Sequence, residues 1–197
     1  MVVSPFFTFP NISWWAGVIN ADVVLLDCHE HFEKMTYRNR YRISGANNSI
    51  LLSVPLVNGR NQHVRMADVR IHNEDRWQTQ HWRTLVSVYK RSPYFDHYEK
   101  RLKQLFETSY DQLIDFNRAT ILWVMQALKL KFEIQETEMY VKEYDAGIID
   151  LRNVKTTSLA IPKYHQVFED RIGFLPDLSI LDLLFSEGPA MVDWLTR

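Results

Sequence analysis

Residues 34–47, Lys-Met-Thr-Tyr-Arg-Asn-Arg-Tyr-Arg-Ile-Ser-Gly-Ala-Asn, gather four cations and two carboxamides within an otherwise charge-balanced chain. In an extended segment alternate side chains share a face, so Arg38, Arg40 and Arg42 are expected on one side, about 6.6 Å apart from one to the next. Like charges at that spacing repel unless an anion lies between them. Guanidinium forks match carboxylate and phosphate groups, which makes a cradle for a phosphorylated or carboxylated ligand, with Lys34 as a further point charge. The same residues also suit a solvated edge strand guarded against sheet-to-sheet pairing.

Other residues offer chemistry. Asp182 and Glu187 are the carboxylates proposed for acid/base work or for holding an amine, although Asp182 also stands at the third position of a helix capped by Ser179. Glu187, at the end of that helix, has no capping duty. Asp27, His29 and His31 alternate in a way that suggests metal ligands, but no second Cys or His element completes a shell, and no metal is expected. Cys28 reads as an inert thiol at an apolar strand end. The turn Phe9-Pro10-Asn11 lacks glycines for close approach of a pyrophosphate, leaving only backbone N–H groups near Asn11 and Ser13 to meet an anion. Gln166, amid apolar neighbours, needs a partner if buried. Tyr89, Ser92, Tyr94 and Tyr164 carry hydroxyls that could face a common cavity. Of Trp14 and Trp15, one is expected to face away from the core, lining a pocket or meeting a partner.

The elements that must position these residues follow from pattern. The chain has 197 residues, 46% of them apolar, enough for one domain with a substantial core. Its 23 basic and 24 acidic residues give a net charge of -1, which argues against general nucleic-acid binding, so any anion site must be local. One cysteine excludes an internal disulfide framework. With neither a basic leader nor a long apolar run, a cytoplasmic protein without membrane insertion is expected.

Val2 to Phe7 reads as a strand, Ile12 to Ile19 as a short helix capped by Asn11, and Val23 to Leu26 as a buried parallel strand, together an opening βαβ unit. Arg40–Ser44 and Ile50–Val54 form a hairpin around Gly45-Ala-Asn-Asn48, and Met66–Ile71 offers a further strand. Three helices follow. The first is capped around Asn73, the second starts at Ser92-Pro93, and the third starts from a capping box at Ser109-Tyr-Asp-Gln112. Phe132–Gln135 is a strand candidate, and residues 137–163 lack periodicity and could cover a site. The expected fold is α/β: a single domain spanning 1–197, with a mixed β-sheet opened by the βαβ unit, an added β-hairpin and a helical layer in the C-terminal half.

Several ordered segments resemble the WbqC-like protein family: Phe9-Pro10, Ala21-Asp22, His31-Phe-Glu-Lys-Met-Thr-Tyr-Arg-Asn-Arg40, Ile43-Ser-Gly-Ala-Asn47 and Leu51-Leu-Ser-Val-Pro55. Ser92-Pro-Tyr-Phe95, Gln166-Val-Phe168, Gly173-Phe174 and Leu178 to Phe185 followed by Glu187-Gly-Pro189 continue the match. Asn11 and Met35 depart from it, standing where relatives often have proline and glutamine. The resemblance implies a bacterial transferase of surface-polysaccharide (O-antigen type) biosynthesis, with glycine or amino-acyl transfer suggested, acting on an anionic donor such as a nucleotide sugar. Lys34, Tyr37, Arg38, Asn39, Arg40, Asn47 and Gln166 are then the candidate ligand-binding residues, and Glu187 and Asp182 the candidate catalytic ones. The expected partner is a small anionic substrate. Homo-oligomerisation stays open, as does the cofactor. The second reading is a non-catalytic binding or assembly protein that uses the exposed aromatic surface of the Trp14/Trp15 helix.

Overall fold

The computed structural model describes residues 1–59, 61–152 and 163–196. Strand β1 (Val2–Pro5), helix α1 (Ile12–Val18) and strand β2 (Val23–Asp27) form the expected βαβ unit, with Val2 paired to Val24 and Pro5 to Asp27 in parallel register. β5 (Glu133–Glu136) and β6 (Ile149–Asp150) complete a parallel sheet of order β5-β2-β1-β6. β1 is buried along its whole length, as the central strand of a covered parallel sheet must be. The hairpin β3 (Arg40–Ile43) and β4 (Ile50–Ser53) is antiparallel and forms a sheet of its own, so parallel and antiparallel pairings both occur but in separate sheets.

The helical layer comprises α2 (Trp77–Tyr89), α3 (Phe95–Glu107) and α4 (Leu113–Leu128), followed after β6 by α5 (Glu169–Ile172), α6 (Ile180–Glu187) and α7 (Met191–Leu195). One core joins both halves: Phe9 meets Tyr41, Phe106 and Phe116, while Phe185 packs on Tyr89 and Phe95. Gly188 turns the chain after α6 at φ 57°, and a Cβ there would stand 2.5 Å from the Tyr94 ring, so both backbone and packing demand glycine.

Several local expectations are revised. Met66–Asp68 is a 3₁₀ turn, not a strand; only isolated bridges at Arg65, Arg70 and Ile71 flank it. α4 begins at Leu113 without a side-chain cap, and α3 begins at Phe95, because Ser92 Oγ donates back to the Tyr89 carbonyl at 2.7 Å and ends α2 instead. Trp14 and Trp15 are both buried. α1 packs against α6 and α7 and none of its residues is exposed, and Trp14 Nε1 donates to Ser4 Oγ on β1 at 2.6 Å. The exposed aromatic helix that a docking protein would use is therefore absent. The N-terminus of α1 does meet an anion, but an internal one: Asp177 Oδ1 accepts from Ser13 N at 2.8 Å and its Oδ2 from Ser13 Oγ at 2.9 Å. Part of the aperiodic stretch, 153–162, lies outside the described residues.

Candidate functional site

The carboxyl ends of the parallel strands converge on a cleft. From β1 the chain steps outward to β2 and later β5, then returns to place β6 on the other side of β1, so the strand order reverses between β1 and β6. Open parallel sheets leave a crevice at such a reversal. Phe7, just beyond β1, and Arg152, just beyond β6, both line the crevice. It has two adjoining cavities of about 620 and 550 Å³ that share Glu33, Lys34, Arg38 and Arg152 as their common wall. Glu30, His31, His63, Tyr140 and Lys142 belong to the first alone. The second alone takes Met35, Tyr37, Arg40, Arg42 and Leu51.

Arg38 is not a loose cation. It precedes β3, is 3% exposed, and binds Glu30 through two parallel bonds, Nε to Oε1 at 2.8 Å and Nη2 to Oε2 at 2.7 Å. Its Nη1 reaches Glu33 Oε2 at 3.1 Å. Burial raises the Glu30 carboxyl above its ordinary value, a push that the hydrogen bonds and charge of Arg38 oppose. The Arg38 backbone is fixed as well: Asn117 of α4 donates Nδ2 to its carbonyl at 2.7 Å and to the Phe6 carbonyl at 3.1 Å. An asparagine inside an apolar helix thus ties the cation segment to the end of β1.

Arg152 is the second locked guanidinium. It donates to Asp27 Oδ2 at 2.8 Å, to Asp150 Oδ2 at 2.7 Å, and to the carbonyls of Val141 and Lys142 at 2.6 and 3.3 Å. The hydrogen bonds that Arg152 donates to Asp150 lead in raising its already high basicity, and the Asp150 carboxyl is lowered in return. Asp27, wholly buried, uses Oδ1 for the backbone N–H groups of His29 and Glu30 at 2.9 and 3.0 Å. Its carboxylate is thus committed to Arg152 and the loop backbone, not to a metal, and no cluster able to hold a metal occurs among the described residues.

The remaining cations are differently placed. β3 alternates as its sequence requires: Tyr41 and Ile43 are buried, while Arg40 and Arg42 face the second cavity. Arg40 has only a 3.3 Å contact with Met35 Sδ, Lys34 bonds the Asn61 side-chain oxygen at 3.1 Å, and Arg42 makes no side-chain ion pair among the described residues. Met35, with φ 65°, sits in the left-handed region at the bend between Lys34 and Tyr37 and is 65% exposed. The cleft therefore combines two arginines neutralised from behind with Lys34, Arg40 and Arg42 open to it.

The other expected site residues lie elsewhere. Asn39 is buried and donates Nδ2 to the Val54 carbonyl at 2.9 Å, which holds the hairpin; Asn47 is exposed at the hairpin tip. Neither lines a cavity. Asp182 is fully buried and accepts from Tyr89 Oη at 2.5 Å and Tyr164 Oη at 2.7 Å, so its carboxylate does not complete a capping box. Burial raises its carboxyl, and both tyrosine hydroxyls are pushed up by their own burial. Gln166 joins this cluster through Tyr164 Oη at 3.0 Å and exchanges two 2.8 Å bonds with the Leu175 backbone. The cluster ties together α2, α6 and the segment after residue 163, and its two hydroxyls face the Asp182 carboxylate, not either cavity. Glu187 closes α6, half-buried, and lines neither cavity. Lys34, Tyr37, Arg38 and Arg40 are brought together; Asp182, Glu187, Asn39, Asn47 and Gln166 do not join them. Glu30, Glu33, Arg152 and Asn117 are the residues that sequence reasoning missed.

The model of the WbqC-like protein family matches residues 7–154, which include β2, the hairpin, both locked arginines and every lining residue of the two cavities. The chain belongs to this family. Membership suggests a role in surface-polysaccharide biosynthesis. Neither curated proteins nor solved structures give a significant match. No helix among the described residues is long and apolar enough to cross a membrane.

Proposed function

We propose that this WbqC-like protein is a transferase of bacterial surface-polysaccharide biosynthesis that takes an anionic donor into the cleft at the sheet's carboxyl edge. One observation carries the reading: Lys34, Arg40 and Arg42 face the same cavity without an acid of their own among the described residues, beside arginines already locked in place. A cavity of about 550 Å³ is the size of a small-molecule site. Cations held ready at a leaving phosphate or carboxylate stabilise the charge that develops there.

Glu33 is the carboxylate placed for proton transfer. It stands in the wall common to both cavities, is 62% exposed in its side chain, and gives only Oε2 to Arg38. In the reaction proposed, an acceptor amine or hydroxyl forms a bond to the transferred carbon as the bond from that carbon to the donor's oxygen breaks. The electron pair leaves on that oxygen, beside Arg40 and Arg42, and the acceptor's proton passes to Glu33. Glycine or another amino-acyl group, and a glycosyl group, are all compatible transferred groups.

Thermal-shift measurements with nucleotide sugars, sugar phosphates, acyl phosphates and simple carboxylates test the reading. A true ligand at about a hundred times its Kd should raise Tm by roughly 5–10 °C. The R40A/R42A variant should lose that rise. Equal protection of wild type and variant by every anion would reject the proposed role of the cleft.

A further inference from the structure

The two cavities differ in chemistry, and the difference sharpens the proposed function. The outward face of the hairpin carries Arg40 and Arg42 on β3, with Ser53 and Leu51 directly opposite them on β4. Leu51 is 47% exposed and Met35 65%, two large apolar groups left at one rim of one cavity. Beside them Phe7 and Tyr37 meet edge to face at 6.2 Å. The first cavity has neither Arg40 nor Arg42; apart from Phe32 its own residues are polar or titratable, Glu30, His31, Asn61, Gln62, His63 and Lys142 among them.

A single carboxylate fills one guanidinium fork. Two forks borne on alternate residues of one strand, about 6.6 Å apart at the backbone and both lacking an acid among the described residues, fit two successive phosphates better than one small anion. Apolar and aromatic groups beside them supply what a planar heterocycle needs, a surface to lie against once it leaves water. Leu51 and Met35, exposed in the same lining, offer apolar surface that such an occupant would cover.

We infer that the cleft is divided in two, with a nucleoside diphosphate seated in the second cavity and the second reactant in the first. The phosphates lie between Arg40 and Arg42, the nucleoside lies against Tyr37, Met35 and Leu51, and Glu33 stands at the boundary. This assignment rests on the cleft being the anion site proposed above.

Isothermal titration of the full chain with uridine diphosphate and with inorganic pyrophosphate tests it. R42A should weaken uridine diphosphate about tenfold or more, and R40A/R42A more still. Leu51→Asn should weaken uridine diphosphate severalfold and leave pyrophosphate within about twofold, because it removes apolar contact and not charge. His63→Ala and Gln62→Ala, confined to the first cavity, should leave both affinities within about twofold. Unchanged melting temperatures establish that the variants are folded, since all five sites are partly or fully exposed. Uridine diphosphate weakened as much by H63A as by R42A, or insensitive to L51N, overturns the division while leaving an anion cleft in place. So does binding of sugar phosphates or carboxylates through Arg40 and Arg42 with no binding of the diphosphate. A wild type that binds none of these anions overturns the cleft itself.

Discussion

Arg38 and Arg42 stand four residues apart and do opposite work. Arg38 is withdrawn into the protein, gripped by Glu30 and Glu33, with its carbonyl pinned by Asn117. Arg42 is exposed on β3 with no acid at its guanidinium among the described residues. Arg152 and Arg40 repeat the contrast, the first saturated by Asp27, Asp150 and two carbonyls, the second bonded among the described residues only to a methionine sulfur. A run of positive charge is thus two populations: locked guanidiniums that build the cleft wall and open ones that leave it charged. Stability should depend on the first and binding on the second.

The largest effect is expected at the locked pair. Glu30→Ala leaves the Arg38 guanidinium buried without its main acid and should cost about 3–5 kcal/mol in urea denaturation. Combining it with Arg38→Met should recover much of that loss, because the stranded charge goes too. If E30A costs no more than a surface substitution, Arg38 is not locked and the contrast fails.

His81 extends the comparison to the interior. Its Nε2 lies 3.2 Å from the Ser53 carbonyl and its Nδ1 3.1 Å from Tyr41 Oη, so the neutral ring donating from Nε2 satisfies both partners. Burial lowers its pKa to about 4. Between about pH 6.5 and 4 the unfolded chain binds the proton and the folded chain does not, so stability is full above this window and falls as pH drops through it. The loss should reach about 3 kcal/mol by pH 4, and His81→Gln should remove that share of the pH slope in parallel denaturation curves.

Smaller still is the change expected at Asp182. Asp182→Asn replaces an acceptor facing two tyrosine hydroxyls and should cost about 1–3 kcal/mol. Anion affinity should stay unaltered, since the cluster borders neither cavity; a large loss of affinity would move Asp182 back into the site. The smallest stability effect belongs to Arg42→Ala, within about 0.5 kcal/mol, with a clear loss of anion binding. That pairing of negligible instability with lost binding is what separates Arg42 from Arg38.

Much of the fold was legible. Strand alternation correctly put Arg40 and Arg42 on one face, and the apolar run Val23 to Leu26 marked a buried parallel strand. Helical periodicity located α2 to α4, although their starts shifted because Ser92 and the Ser109 box engage other partners or none. Arg38 was misplaced because strand periodicity was carried two residues beyond where β3 begins, and because its partner Glu30 lies across a turn with no fixed spacing. Arg152 is 125 residues from Asp27, a distance no local pattern bridges. Asp182 shows the reverse hazard: a capping motif fitted its position, yet tyrosines from two distant segments claimed the carboxylate. Asn117 did leave a signal, a lone carboxamide in the apolar row of α4, of the kind that marks a buried polar tie.

A crystal structure of the protein grown with uridine diphosphate tests the central claim most directly. The account predicts phosphate density between Arg40 and Arg42, within hydrogen-bond reach of both guanidiniums, with Arg38 still paired to Glu30. Phosphate density at some other surface, with Arg40 and Arg42 extended into solvent, would contradict it.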